Sequence, residues 1–228
     1  VGPPLIQDLR IPEVLSFKPM ELKNVIFDLG GVIIDLDYQK TTQAFIDLGV
    51  TDFDAVYSKA KQSDIFDNFE KGIIDAKEFR SFIRSKINMQ LEDSQIDKAW
   101  NAMLINFPAS RVEWLKKISK RYRIFLLSNT NPIHIASFTG IADNLFGKDQ
   151  FLQIFEMVYL SSEIGMRKPD ANIFEKVLFE NNLMKEETLF IDDSIQHIVG
   201  ALAINLKAEL LKVEEGEKIE IKYKYLLY

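Results

Sequence analysis

Cysteine is absent from all 228 positions, which excludes disulfides, thiolate zinc sites and cysteine nucleophiles together. Basic clusters are missing too. With a net charge of -6 and no run of Lys and Arg, the chain lacks the concentrated positive face that phosphate-backbone binding needs, so nucleic acid is not an expected partner. No apolar stretch approaches the roughly 20 residues of a membrane-spanning helix. The first residues, Val1-Gly2-Pro3-Pro4-Leu5-Ile6-Gln7-Asp8, have neither the basic start nor the apolar middle of a secretion signal. A cytoplasmic location and no membrane partner follow as expectations. Internal repeats and low-complexity segments are also lacking.

What is present is an ordinary globular composition, 47% hydrophobic and 27% charged, over a length sufficient for a sizeable core. Residues 1–20 contain several prolines and no usable period, and read as a leader, either an expression scar or a peripheral extension. Val25-Ile26-Phe27 is apolar throughout, as in a strand of a parallel sheet covered on both faces. Residues 38–107 then turn to spacings of three and four, with Phe45 and Leu48, Ile65 and Phe69, Phe79, Phe82 and Ile83, then Ile96, Trp100 and Met103. This pattern predicts a helical bundle without a convincing strand. Beyond Pro108, a helical segment over 111–121 leads to Ile124-Phe125-Leu126-Leu127, and Met157-Val158-Tyr159-Leu160 and Leu189-Phe190-Ile191 recur with helical stretches between them. Strands alternating with helices predict an α/β fold with a doubly wound parallel sheet. The domains expected are a core from 21–36 and 108–228 and an inserted helical cap from 37–107, far longer than any connecting loop. The tail over 209–228 reads as an edge strand or a surface wrap.

In such a sheet the reactive groups collect beyond the carboxyl ends of the strands, where residues distant in sequence converge. Four of these ends are polar. Asp28 follows the first strand, Ser128-Asn129-Thr130-Asn131 follow the second, Lys168-Pro169-Asp170 open a helix after the third, and Asp192-Asp193-Ser194 follow the fourth. Taken singly, each is as well explained by helix capping, turn formation or a solvated surface lysine. Together they supply a carboxylate nucleophile, hydroxyl and amide donors, a lysine and a carboxylate pair, a set suited to phosphoryl transfer. Three carboxylates in one cleft require a cation, and ligation by oxygen alone selects a hard ion such as Mg²⁺. Arg167 competes with Lys168 for the cationic role.

The run Phe27-Asp28-Leu29-Gly30-Gly31-Val32, with Leu127-Ser128-Asn129-Thr130-Asn131, Gly165-Met166-Arg167-Lys168-Pro169 and Phe190-Ile191-Asp192-Asp193-Ser194, resembles in order and spacing the four motifs of the haloacid dehalogenase superfamily. The resemblance covers residues 22–206 and includes the position of the cap. It implies a Rossmann-like core, attack of Asp28 on phosphorus to give an aspartyl-phosphate, phosphoryl oxygens held by Ser128 and Asn129, and charge stabilisation by Lys168. It implies also Mg²⁺ on Asp28, the backbone carbonyl of Gly30 and Asp193, with Asp192 in support. Within the superfamily the chain looks like bacterial sugar-phosphate phosphatases of the type that accept glucose 1-phosphate. A small phosphorylated metabolite is thus the expected partner, and a monomer or homodimer the expected state.

One position departs from the family pattern. Most phosphatases of the superfamily carry Asp two residues after the nucleophile, as the acid for the leaving alcohol; here Gly30 stands there. Such acid-base assistance contributes about 10² to 10⁴ in rate, so slow or substrate-assisted turnover is expected. His197, Asp35 and Asp37 are the nearest substitutes in sequence. Within the cap, Glu70 or Lys71 beside Gly72 could reach the cleft to bond sugar hydroxyls, while a plain helix end with both charges in solvent explains them equally. Trp100 and Phe107 read as cap core. Haloacid dehalogenation, phosphonate cleavage with Lys59, Lys61 or Lys71 as the reactive lysine, and a binding or regulatory protein remain as other readings.

Overall fold

The computed structural model describes residues 21–51, 53 and 64–228; the leader and the lysines 59 and 61 lie outside them. Its strands are β1 (Asn24–Phe27), β2 (Asp35–Leu36), β3 (Leu104–Asn106), β4 (Arg123–Ser128), β5 (Met157–Leu160), β6 (Thr188–Asp192) and β7 (Lys207–Leu210). Five of them form one sheet in the order β5-β4-β1-β6-β7, every pairing parallel. β1 is central, with β4 on one side and β6 on the other, so the chain reverses its winding at Asp28.

The sheet is apolar on both faces because successive residues alternate between them. Val25 and Phe27 join Ile124, Leu126, Leu189 and Ile191 in one core, covered by Leu115 and Ile118 of helix Ala109–Ile118 and Phe138 of helix Pro132–Phe146. Ile26 joins Phe125, Leu127 and Phe190 in the other, covered by Phe174 and Val177 of helix Ala171–Glu180 and Ile198 and Ala201 of helix Ile195–Ala203. Burial of each such side chain contributes about 1.5–3 kcal/mol. Among the described residues no helix is long and apolar enough to cross a membrane.

Helices Tyr38–Asp47, Ile65–Glu70, Ala76–Ile87 and Asp93–Trp100 lie between β2 and β3. They enclose a third core of Phe45, Phe69, Phe79, Ile83, Ile96 and Trp100, in which Phe69 and Phe79 stack with centroids 4.2 Å apart. Local signals start them: Asp37 accepts a bond from the backbone of Gln39, and Asp75 and Glu78 form a reciprocal capping box.

Three details differ from expectation. Leu104–Asn106 is a strand, paired antiparallel with Asp35–Leu36 in a two-stranded ribbon where the chain leaves and re-enters the sheet layer. Three residues are too short to show a period, which is why the sequence hides it. Phe107 belongs to the sheet's core, 4.7 Å from Phe151, and not to the inserted helices. The tail contributes only the end of β7 as edge strand, and then runs as short helical turns that bury Tyr223 and Leu226.

The inserted helices touch the sheet layer closely at Gly72. Its φ is +65°, and a Cβ there would stand 2.2 Å from the carbonyl oxygen of Ser162. Gly72→Ala should therefore cost about 1–2 kcal/mol from the left-handed backbone alone, with the clash added. Thermal unfolding should show a melting point lowered by several degrees; an unchanged one would mean that this contact yields freely.

Candidate active site

Asp28 leaves β1 at its carboxyl end, and Gly30-Gly31 turn the chain sharply behind it. Gly31 has φ +69°, and a Cβ on it would meet Asp193 Oδ2 at 2.1 Å, so the turn admits no side chain where Asp193 lies. Ser128 ends β4 and Asp192 ends β6, each in register beside β1. After β5 the short helix Ser161–Ile164 leads to Lys168, whose ammonium reaches the ends of β1, β4 and β6.

Lys168 is fully buried, and its ammonium meets three acceptors: Asp28 Oδ1 at 2.6 Å, Asp192 Oδ2 at 2.6 Å and the carbonyl of Leu127 at 2.9 Å. An ammonium has three protons, so this donor set is complete. Burial opposes its charge, yet Asp192 and Asp28 outweigh that penalty and hold its pKa above the ordinary lysine value. Arg167, the competing cation, instead points to the inserted helices, pairing with Asp67 at 2.6 Å and Glu70 at 2.9 Å.

Asp28, Asp192 and Asp193 each offer an oxygen within 4.8 Å of the others. Burial pushes Asp28 up to about 7, against the pull of Lys168 and with the push of Asp192 and Asp193. Asp193 rises to about 6 through burial and the charge of Asp192. Asp192 moves the other way, to about 2, because Lys168 and a bond from His197 overcome its burial. Two carboxyls raised by burial toward neutrality, and drawn from three converging acids, are the donor chemistry of a hard divalent cation.

The Asn129 side chain is engaged within the protein. Its amide donates to the carbonyl of Lys168 at 2.8 Å and accepts from the Lys168 backbone N–H at 2.9 Å, so the side chain clamps the lysine loop. Thr130 and Ser161 form a second reciprocal tie between β4 and β5, and Asn131 caps helix Pro132–Phe146 through His134 N. Such ties carry no periodic or compositional signal, so sequence reading passes over them.

A cavity of about 420 Å³ opens above Asp28 and Asp193, lined also by Ser128 and Asn129. Leu36, Phe66, Trp100 and Met103 form an apolar wall; Asp67, Glu70, Arg167, Asn131 and Gln196 are the polar part. Trp100 belongs to the inserted core as expected, and also faces this space. Of the candidates for the missing acid, His197 lines the cavity. Asp35 and Asp37 do not: Ile34, Leu36 and Tyr38 face it, and strand alternation turns the acids away, Asp35 to Arg111 at 3.1 Å and Asp37 to its helix cap. Helix Ile65–Glu70 does end at Gly72, but its charges are paired, Glu70 with Arg167 and Lys71 with Asp170 at 3.7 Å.

These features meet in the haloacid dehalogenase-like hydrolase family, whose pattern the chain matches over residues 22–205, and the chain belongs to it. Within that family its likeness is to phosphomonoester hydrolases. It is 33% identical over 177 residues, 78% of this chain and 85% of the relative, to a D-ribitol-5-phosphate phosphatase from Bacteroides thetaiotaomicron. A sesquiterpene phosphatase from Aspergillus oryzae is 26% identical over 186 residues, 81% of this chain and 87% of the relative. The crystal structure of a family enzyme from Bacteroides thetaiotaomicron, in complex with magnesium and inorganic phosphate, is similar with a TM-score of 0.80 at 33% identity, covering 89% of this chain and 99% of that one.

His134, unremarked in the sequence, also lines the cavity. It stacks on Trp100 with centroids 5.4 Å apart and bonds Asn101 at 2.8 Å, and burial lowers its pKa from 6.5 to about 3. Between those values the unfolded chain binds a proton that the folded chain refuses. The contribution of His134 is therefore complete above about pH 6.5 and is lost progressively toward pH 3. Urea unfolding at neutral pH and at about pH 5 should show a loss of stability that is smaller in His134→Gln. Equal losses in both proteins would refute the assignment.

Proposed function

We propose that the chain is a Mg²⁺-dependent phosphomonoesterase acting on a small phosphorylated sugar or polyol, through an aspartyl-phosphate at Asp28. The observation that carries this reading is the gathering of Asp28, Asp192 and Asp193 around one buried lysine, at the mouth of a cavity that also holds Ser128. The residues present fit the cation: three converging acids, two of them raised toward neutrality, with Gly31 kept free of a side chain beside Asp193. Asp28, Asp193 and the carbonyl of Gly30 would hold it, with Asp192 in support; when bound it neutralises phosphate and carboxylate charge and keeps Asp28 ionised.

In this reading Lys168 holds Asp28 Oδ1 and aims the carboxylate at phosphorus. Attack forms the Asp28–phosphorus bond and breaks the ester bond, and the departing alkoxide takes a proton from solvent or from the substrate. Water then attacks phosphorus, releasing phosphate and restoring Asp28. The Ser128 hydroxyl and the backbone N–H of Asn129 bond the phosphoryl oxygens, since the Asn129 amide is engaged with Lys168. The inserted helices between β2 and β3 act as the cap over a core that includes Phe107. The cavity's apolar wall faces the carbon skeleton, and Glu70 and Arg167 face its hydroxyls. The likeness to a D-ribitol-5-phosphate phosphatase supports that substrate class. Dehalogenation is disfavoured because displacing halide from carbon needs no such acid cluster.

Phosphate release from p-nitrophenyl phosphate and a panel of sugar and polyol phosphates tests the reading. Asp28→Asn should lose activity by at least about 10⁴-fold while melting as a folded protein, and EDTA should abolish turnover until Mg²⁺ is restored. Activity that survives either treatment rules out the proposed chemistry.

Gly30→Asp probes the absent acid. A Cβ at Gly30 would lie 2.8 Å from Leu36 Cδ1, the end of a side chain that can rotate away, and 3.8 Å from Asp28 Oδ2. The variant should raise kcat by about tenfold or more on substrates with poor leaving groups, and little on p-nitrophenyl phosphate. No difference between the two substrates would show that leaving-group protonation does not limit the rate.

A further inference from the structure

We propose that His197 is a positioning residue that locks Asp192, and through it Lys168 and Asp28, in the reacting arrangement. The inference rests on the preceding reading of that pair. Asp192 has no exposed surface, so its orientation is set entirely by protein donors. Lys168 Nζ reaches Oδ2 at 2.6 Å and the Ser194 backbone N–H reaches Oδ1 at 2.8 Å. His197 Nδ1 stands 3.0 Å from each oxygen, bridging both. An ionised carboxylate only accepts, so Nδ1 carries the proton and the ring acts as a neutral-or-charged donor alike. Lys168 and Ser194 each hold one oxygen, and His197, reaching both, resists the rotation that would lengthen either of those bonds.

The same helix fixes the lysine from a second direction. Gly200, one turn beyond His197 in helix Ile195–Ala203, has no space for a side chain: a Cβ would meet the carbonyl oxygen of Pro169 at 2.4 Å. His197 grips the carboxylate that holds the Lys168 ammonium, and Gly200 lets the helix rest on the peptide next to Lys168. Since Lys168 Nζ has only three protons and all have acceptors, a shift of Asp192 must be answered by Asp28. Partners one step removed from a metal or reacting group commonly set its geometry, and their loss costs about 10- to 100-fold in affinity or activity.

The test compares His197→Leu, which keeps volume and removes the donor, with His197→Asn, whose amide can donate from the Nδ1 position. Three measurements are made on each variant of this chain: melting temperature, steady-state phosphate release, and calorimetric titration with Mg²⁺ alone. His197→Leu should remain folded, lose about 10- to 100-fold in kcat with KM within about threefold, and bind Mg²⁺ about tenfold more weakly. His197→Asn should recover most of both losses. The inference is overturned if His197→Leu matches the wild type, if Asn fails to rescue, or if KM alone changes, which would make His197 a substrate contact. If the wild type itself releases no phosphate, the phosphatase reading fails, and the Mg²⁺ titrations still decide whether His197 orders the acid cluster.

Discussion

The buried ammonium of Lys168 is the constraint around which the sheet's carboxyl edge is organised. A lysine with no exposed surface is tolerable only if every proton finds an acceptor, and the acceptors come from three strands: Asp28 after β1, Asp192 after β6 and the Leu127 carbonyl in β4. Their adjacency requires the strand order β4-β1-β6, hence the reversal of winding at β1. Holding the lysine's backbone is a separate task, met by the Asn129 amide on one side and the close approach of Gly200 to Pro169 on the other.

One lysine cannot balance three acids. The result is visible in the divergence of like residues: Asp192, gripped by Lys168 and His197, falls to about 2, while Asp28 and Asp193 rise to about 7 and 6. The site is thus ordered but short of positive charge, and the two raised acids are the ones a divalent cation would relieve. Neighbouring cations divide the labour. Lys168 turns inward to the strand ends, and Arg167 turns outward to Asp67 and Glu70, linking the lysine loop directly to the helices above the cavity. The opposite directions of two adjacent side chains couple those helices to the reacting groups across a single peptide.

Much of the fold was legible. The four apolar runs became β1, β4, β5 and β6 within a residue at each end, because fully buried parallel strands leave no room for polar residues except at their tips. The same rule made Asp28, Ser128 and Asp192 conspicuous. The spacings of three and four between 38 and 107 marked helices with a shared apolar face, and Phe45, Phe69, Phe79 and Ile96 do share one. Contacts that depend on chain segments meeting were not legible: the Leu104–Asn106 strand exists through its pairing with Asp35–Leu36, and Phe107 joins the sheet's core because that ribbon returns it there.

By itself, then, the sequence determined which polar residues stand at the ends of the apolar strands, since a carboxylate or a hydroxyl at the end of such a run is a local statement about hydrophobic patterning. Only the tertiary structure decided how those residues divide the work. That Asn129 clamps a loop, that Asp35 and Asp37 face away while His197 grips Asp192, and that Lys71 pairs with Asp170 are matters of direction and distance. Hydrogen bonds and charges act over a few ångströms in space, and local periodicity along the chain does not display which of these side chains will come within that reach.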